Sequence, residues 1–516
     1  MRKISQPNLR AYVTLVPVMA GVFFAADDQT VVVTILPQIM SDLRVEVSEL
    51  HRAAWTVTGY LLGYVAVMPV MGRLSDILGR RTVYTIAMAV FVVGSTGTAL
   101  TSSFDWLYEI PASRFSPIDS IIFIIPEITS NIEWIVSTRI LQAIGAGALV
   151  PVSIAMVSDL FRAKQRGVPL GITGAAAEAG AVIGPLWGGV VTKFLDWQWV
   201  FWLNLPLAAV VLLGIYLMFP KTVRTKTPVD YLGSVFIASG LSLLTLGFSE
   251  SGNPGKWMYL YFGTGTAMFA VYAVRAASIS NPIVPITLFR NMGFVAANLV
   301  HIFYGAGLII TMVTIPLMAN TILQGSPLDG GLMLGRLTVA IPAGAIIGGF
   351  ICKNYDLRIP SILGLILCSI SLFIMSGWNQ TVTDPWMTVP LVTAGFGFGL
   401  LIAPITLAAV NSTNEAMKGA AAGIISTSRF IGMTFGIAAL AAWGAGRFQD
   451  LLAGIELPLA STGDTAQQIA EKSAQFQSDI TSAGVDLFSD FYLAGAIICF
   501  IAILLCIPMK IQRPNS

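Results

Sequence analysis

The chain is 516 residues long, 55% hydrophobic and only 11% charged, with a mean hydropathy of +0.77 and a formal net charge of +2. The charged share is about half of the usual ~25%, which excludes an ordinary soluble multidomain protein. No basic face with interleaved aromatics points to nucleic acid. Two histidines, with no Walker-type phosphate loop, Ser/His/Asp set or metal-ligand spacing, leave no cofactor, no metal and no enzyme chemistry to expect.

Apolar runs of roughly 18–25 residues recur, each long enough to cross a ~30 Å hydrocarbon layer as a helix. Hydropathy predicts about fourteen spans, near 12–39, 52–71, 82–101, 134–158, 168–192, 200–219, 230–249, 258–277, 293–318, 331–352, 360–378, 388–410, 419–446 and 488–508. The first follows MRKISQPNLR and stays apolar to about Ile39 without an A-x-A site, so it reads as a retained span. An even number of spans puts both termini on one side. That side carries about 19 Lys and Arg against about 7 on the other, which makes the termini cytoplasmic.

A basic segment at 220–229 and a Pro-containing loop near 281–290 divide the chain. The expected organisation is an all-α membrane protein: six helices in 1–219, two linker helices in 220–292, and six more in 293–516. Two outward segments are long. Residues 102–133 contain the apolar PIDSIIFIIP, too short to span and suited to an interfacial or re-entrant piece, and 447–487 are polar with helical-looking stretches such as Thr465–Phe476; for both, an inert surface loop is the plainer reading. The cysteines Cys352, Cys368, Cys499 and Cys506 lie in or beside apolar runs and read as small apolar filler.

Ionisable groups inside spans are the first functional candidates, because each costs about 2.5–3.5 kcal/mol at a helix centre. They are Asp27 and Asp28 in the first span, Arg139 in the fourth, Glu178 in the fifth, Arg336 in the tenth and Arg429 in the thirteenth. Glu178 and Arg429 each lie about ten residues, or ~15 Å, from the cytoplasmic start of their span. They are expected to pair across the two halves, with Asp28 sharing Arg429 or carrying a proton itself; a static lock between helices is the alternative. Asp27 points about 100° away from Asp28 on a helix, so Asp28 is the one expected in the polar cluster. Arg336 is placed to snorkel outward, and His301 reads as packing.

Two further patterns stand out. Gly72–Arg81 (GRLSDILGRR) is a short basic turn between two spans. Gly180, Gly184 and Gly188 recur every four residues beside Pro185 and Gly189, a face that admits a second helix closely and a candidate hinge.

These residues resemble the major facilitator superfamily. Gly72, Asp76, Gly79, Arg80 and Arg81 match its loop between the second and third helices, which implies a gate that stabilises one conformational state. Arg139-Ile140-Leu141-Gln142 with Gly145 is similar to its fourth-helix motif, which implies a part in proton coupling. Gly180–Gly189 resembles the fifth-helix motif of its drug exporters. The span count resembles the fourteen-span drug/proton antiporters. Within them, Asp28–Ile35, Leu50–Arg52, Tyr60–Tyr64, Val200–Pro206 and Ala439–Gly454 look most like the mycobacterial lipid and multidrug exporters that work with an extracytoplasmic lipoprotein. The resemblance implies Asp28, Glu178 and Arg429 as functional charges. The expected protein is a monomer in the cell membrane that exports a hydrophobic or amphipathic compound, lipid or drug, in exchange for protons; a multidrug pump without a lipid role, or a non-transporting receptor or scaffold, is the alternative. The short 379–388 segment and the 102–133 insert depart from that pattern.

Overall fold

The computed structural model describes residues 9–43, 50–101, 131–220, 230–249, 255–325, 327–414, 417–455, 457–458 and 465–509. All regular structure among them is helical: α1 (Leu9–Asp42), α2 (Leu50–Leu78), α3 (Arg80–Ala99), α4 (Asn131–Leu160), α5 (Gly167–Phe194), α6 (Gln198–Trp202), α7 (Asn204–Met218), α8 (Tyr231–Ser249), α9 (Lys256–Ser278), α10 (Met292–Thr321), α11 (Pro327–Asn354), α12 (Arg358–Met375), α13 (Thr388–Asn411), α14 (Lys418–Leu452) and α15 (Ala466–Leu505). Helices satisfy their own backbone groups, which is what an apolar surrounding requires. The central part of the 102–133 insert, its apolar PIDSIIFIIP stretch and the basic 221–229 segment lie outside the described residues.

Thirteen helical segments among the described residues are long and apolar enough to cross a membrane. The expected span at 258–277 is a helix, α9, but is not one of them. At 23 residues it reaches about 34 Å. Lys256, Tyr259, Tyr261, Tyr272 and Arg275 dilute its apolar content. The expected sixth span is broken at Leu203 into α6 and α7. Pro206, in the first turn of α7, has no N–H to give to the Trp202 carbonyl, so the chain restarts there.

The polar stretch 447–487 is not the surface loop expected of it. Helix α14 runs on to Leu452, and α15 starts at Ala466, 40 residues and about 60 Å long. Thr465 caps it: its hydroxyl accepts from the Gln468 N–H while Gln468 Oε1 accepts from the Thr465 N–H. Arg447 Nε donates to Asp490 Oδ2 at 2.8 Å, and Trp443 packs edge-on to Phe491, tying the end of α14 to α15.

Contacts divide the chain into two units. The first holds Met1–Ser242, Gly265–Leu288 and Thr413–Thr427; the second holds Leu243–Thr264, Phe289–Ser412 and Ser428–Ser516. In the first, α1 packs on α5, and both α2 and α3 pack on α4. Glycines make this possible: a Cβ on Gly94 or Gly145 would strike backbone across the α3–α4 contact, and one on Gly147 would meet the Tyr64 carbonyl of α2. An apolar core of Val31, Ile35, Ile135, Trp197 and Phe201 closes one end. In the second unit, α11 and α12 pack on α13 in the same pattern, with Gly395 and Gly399 against Leu337 and Ile341 and Gly397 against Gly364. Gly432 and Gly436 bring α14 onto Ile302 and Ala306 of α10.

Replacing Thr465 by Ala removes the capping box and is expected to cost about 1 kcal/mol of local stability. Faster amide exchange over residues 466–475, with the rest of α15 unchanged, is the expected readout.

Candidate functional site

Two of the most enclosed charges of the first unit form one network. Arg139 of α4 and Asp28 of α1 are each 1% exposed and pair at 2.5 Å (Nη1 to Oδ2). The guanidinium also donates through Nη2 to the Asp28 carbonyl at 3.0 Å and through Nη1 to Gln142 Oε1 at 2.8 Å. Gln142 Nε2 and Asn204 Nδ2 both donate to Asp28 Oδ1, at 2.8 and 3.1 Å. Asn204 Nδ2 also reaches Ser95 Oγ, whose hydroxyl donates to the Phe201 carbonyl. The Tyr60 ring lies 4.1 Å from Arg139 Cζ and adds a cation–π contact. Burying two ions is costly, and such a pair holds only when its remaining lone pairs and protons are met. Here the carboxylate has three side-chain donors.

Asp28 therefore meets Arg139 within the first unit, where sequence reasoning offered it Arg429. Asn204, Tyr60 and Ser95 were missed as its neighbours. A signal for Gln142 was present, since i and i+3 share a helix face.

Glu178 is buried in α5, in the first unit. Arg429 belongs to the second unit, where its guanidinium lies 5.6 Å from the Tyr304 ring centroid. Nearby, Ser428 Oγ donates to Asn298 Oδ1 at 2.7 Å, and His301 packs against Tyr304. Arg336 reaches out of its helix to the loop before α13. It donates to Asp384 at 3.1 Å and to Thr388 Oγ1 at 2.7 Å. The Thr388 hydroxyl, with Arg336 behind it, holds the Asp384 carboxyl below its ordinary value of 3.8.

The Gly72–Arg81 segment is a second cluster. Gly79, at φ 94°, is the one residue between α2 and α3, a conformation that favours glycine. Asp76 accepts from the backbone N–H of Gly419 and Ala420, at 2.9 and 3.0 Å, so its carboxylate caps the positive N-terminal end of α14. Arg80 Nη1 pairs with Asp76 at 2.5 Å and Arg80 Nε with Asp159 at 3.0 Å. Lys418, itself buried, donates to the Ser158 carbonyl and lies 3.8 Å from Asp159. Gly72 has no room for a Cβ, because the Gly419 carbonyl is there. Arg81 stacks over Tyr216 at 4.3 Å and donates to the Phe219 carbonyl. Asp159, Lys418 and the Gly419–Ala420 amides are distant in sequence, and no spacing marks them as partners of this loop.

The glycine face of α5 lies on α1. A Cβ on Gly180 would meet the Phe23 carbonyl, and one on Gly184 would meet Thr30 Oγ1 and the Asp27 carbonyl. Gly188 faces Val31, while Gly189 has only Thr34 Cγ2, at 3.9 Å. Thr30 Oγ1 donates across the contact to the Ala181 carbonyl at 3.0 Å. Pro185 lies inside α5, which stays helical through it. All four cysteines are free thiols, three of them buried.

Two expectations follow. Asp28→Asn or Arg139→Met strands the other member of the pair and should each cost about 3–5 kcal/mol, whereas Asp28→Leu with Arg139→Met should cost less than the sum. Thermal unfolding of the purified protein in detergent measures this. Gly184→Ala should lower the unfolding midpoint by overpacking, about 1–3 kcal/mol, while Gly189→Ala leaves it unchanged.

Residues 18–437 match the Major Facilitator Superfamily. The chain is 32% identical over 499 residues to the triacylglyceride transporter of Mycolicibacterium hassiacum, covering 93% of this chain and 88% of that protein. It is 30% identical over 498 residues to the triacylglyceride transporter of Mycobacterium tuberculosis, covering 93% and 90%. Among solved structures, the proton:xylose symporter XylE shares the fold at a TM-score of 0.58 and 14% identity, over 96% of each chain. The human organic anion transporter MFSD10 does so at 0.56 and 16%, over 96% of this chain and all of that one. The chain is thus an all-helical, multi-pass membrane protein that belongs to the major facilitator superfamily.

Proposed function

We propose that this protein is a proton-coupled secondary transporter that exports a lipid, of the triacylglyceride class, by alternating access. The observation that carries the substrate is the match to relatives named triacylglyceride transporters over about nine tenths of both chains. In this reading the chain lies in the cell membrane as a monomer with both termini cytoplasmic. It has two six-helix bundles, 1–219 and 293–516, and two linker helices within 220–292, α9 supplying the fourteenth span.

The proposed parts follow from the clusters described above. Gly72, Asp76, Gly79, Arg80 and Arg81 form the cytoplasmic gate: the Asp76 cap on the α14 N-terminus is strong while made and lost in one step once the amides move away. Gly180, Gly184, Pro185, Gly188 and Gly189 form the hinge helix, since small residues let α5 slide on α1 with little more than the Thr30 hydrogen bond to the Ala181 carbonyl to release. Asp28, Arg139, Glu178 and Arg429 are the charges through which proton binding is coupled to movement, because a buried charge that gains or loses a partner shifts a conformational equilibrium. The driving force is the inward proton gradient, each charge contributing about 2.3 kcal/mol per 100 mV. An extracytoplasmic lipoprotein completes the proposal by receiving a product insoluble in water.

Reconstitution in liposomes tests this. A fluorescent triacylglyceride analogue should cross faster when a pH gradient is imposed, and the gain should vanish with a protonophore. Transport of cationic dyes without lipid would replace the lipid reading with multidrug efflux, and lipid transport indifferent to the gradient would remove proton coupling.

A further inference from the structure

We propose that Asp27, and not its neighbour Asp28, is the proton-binding acid of the first helix: its buried carboxyl has an oxygen without a hydrogen-bond donor, beside an Asp28 carboxylate already saturated by Arg139, Gln142 and Asn204. The inference rests on the reading of the chain as a proton-coupled transporter and names a residue that the resemblance did not mark.

Asp27 is 7% exposed, and its Oδ1 accepts no hydrogen bond. An ionised carboxylate is acceptor-only and needs donors when buried, whereas the neutral acid needs far fewer. At Oδ1 no donor is present among the described residues. The backbone of α5 runs directly against the Asp27 main chain at Gly180 and Gly184, so no side chain of α5 stands at those two contacts. Among the described residues, the titratable groups in the middle turns of the helices packed on α1 are Arg139 on α4, Glu178 on α5, and Tyr60 and Tyr64 on α2; Tyr84 of α3 meets α1 nearer its start, donating to the Pro17 carbonyl. Arg139 is the one cation among them, and it is committed to Asp28. Asp27 and Asp28 ionised together would place two negative charges beside the single guanidinium of Arg139, in a core where all three groups are more than nine tenths buried.

A proton on Asp27 relieves that imbalance without disturbing the Asp28–Arg139 pair. The carboxylate takes a proton from water when the site opens to one side and returns it to water on the other, and no other bond forms or breaks. Asp28 then stays paired with Arg139 and fixes the geometry of α1 on α4, while its neighbour binds and releases the proton.

Infrared titration of the purified protein in nanodiscs reads this directly. The wild type should show a protonated carboxylic C=O band through neutral pH that disappears under alkaline conditions. Asp27→Asn should lose the band, Asp27→Glu should keep it at a shifted frequency, and Glu178→Gln should retain it. A band that survives Asp27→Asn, or that vanishes in Glu178→Gln, overturns the assignment. In liposomes Asp27→Asn should also lose the response of lipid transport to the pH gradient. If the wild type itself ignores the gradient, proton coupling falls while the infrared result still decides where the proton sits.

Discussion

A charge enclosed among helices that cross a membrane has to be compensated where it stands, and the first unit is arranged around one such compensation. Arg139 and Asp28 draw α4 and α1 together, Gln142 and Asn204 fill the remaining acceptor positions on the carboxylate, and Tyr60 covers the guanidinium with its π face. Removing water strengthens each of these contacts and raises the penalty for losing any one. The network also reaches α3 and the α6–α7 junction through Ser95 and the Phe201 carbonyl. The break in the sixth span therefore has a consequence: it places Asn204 at the start of α7, where its amide can reach Asp28.

Apolar helices in an apolar surrounding gain little from burying side chains, so close backbone approach carries much of their association. Glycine provides it in both units. The α1–α5 contact at Gly180 and Gly184 has a counterpart in the α10–α14 contact at Gly432 and Gly436, and the α2–α4 and α3–α4 contacts have theirs in α11–α13 and α12–α13. The two units thus share a pattern of helix packing. Their polar groups differ: Asp28 and Arg139 in one unit, Asn298, Ser428 and Arg429 over Tyr304 in the other.

Much of this was legible in the sequence because a membrane leaves few choices. Span positions follow from apolar length, and buried charges announce themselves by their rarity. Asp28, Arg139 and the glycines of α5 were accessible for that reason. Partners were harder. Nothing local ties Asp76 to Gly419, because the link is a backbone N–H at a helix start, and any residue can supply one. Hydropathy placed only the end of α15, since a polar helix gives no apolar signal; the helical look of Thr465–Phe476 was legible, and the Thr465–Gln468 capping box marks the start. At α9 the reverse held, since length suggested a span while tyrosines and end charges lowered its apolar score.

Helix α15 has one more physical meaning. Its apolar C-terminal half is long enough for the hydrocarbon layer, which leaves about 33 Å of polar rod continuous with it. A rod of that kind is a lever. A tilt of about 10° at its embedded half carries its N-terminal end through roughly 6 Å, so a small rearrangement among packed helices is magnified far from where it occurs.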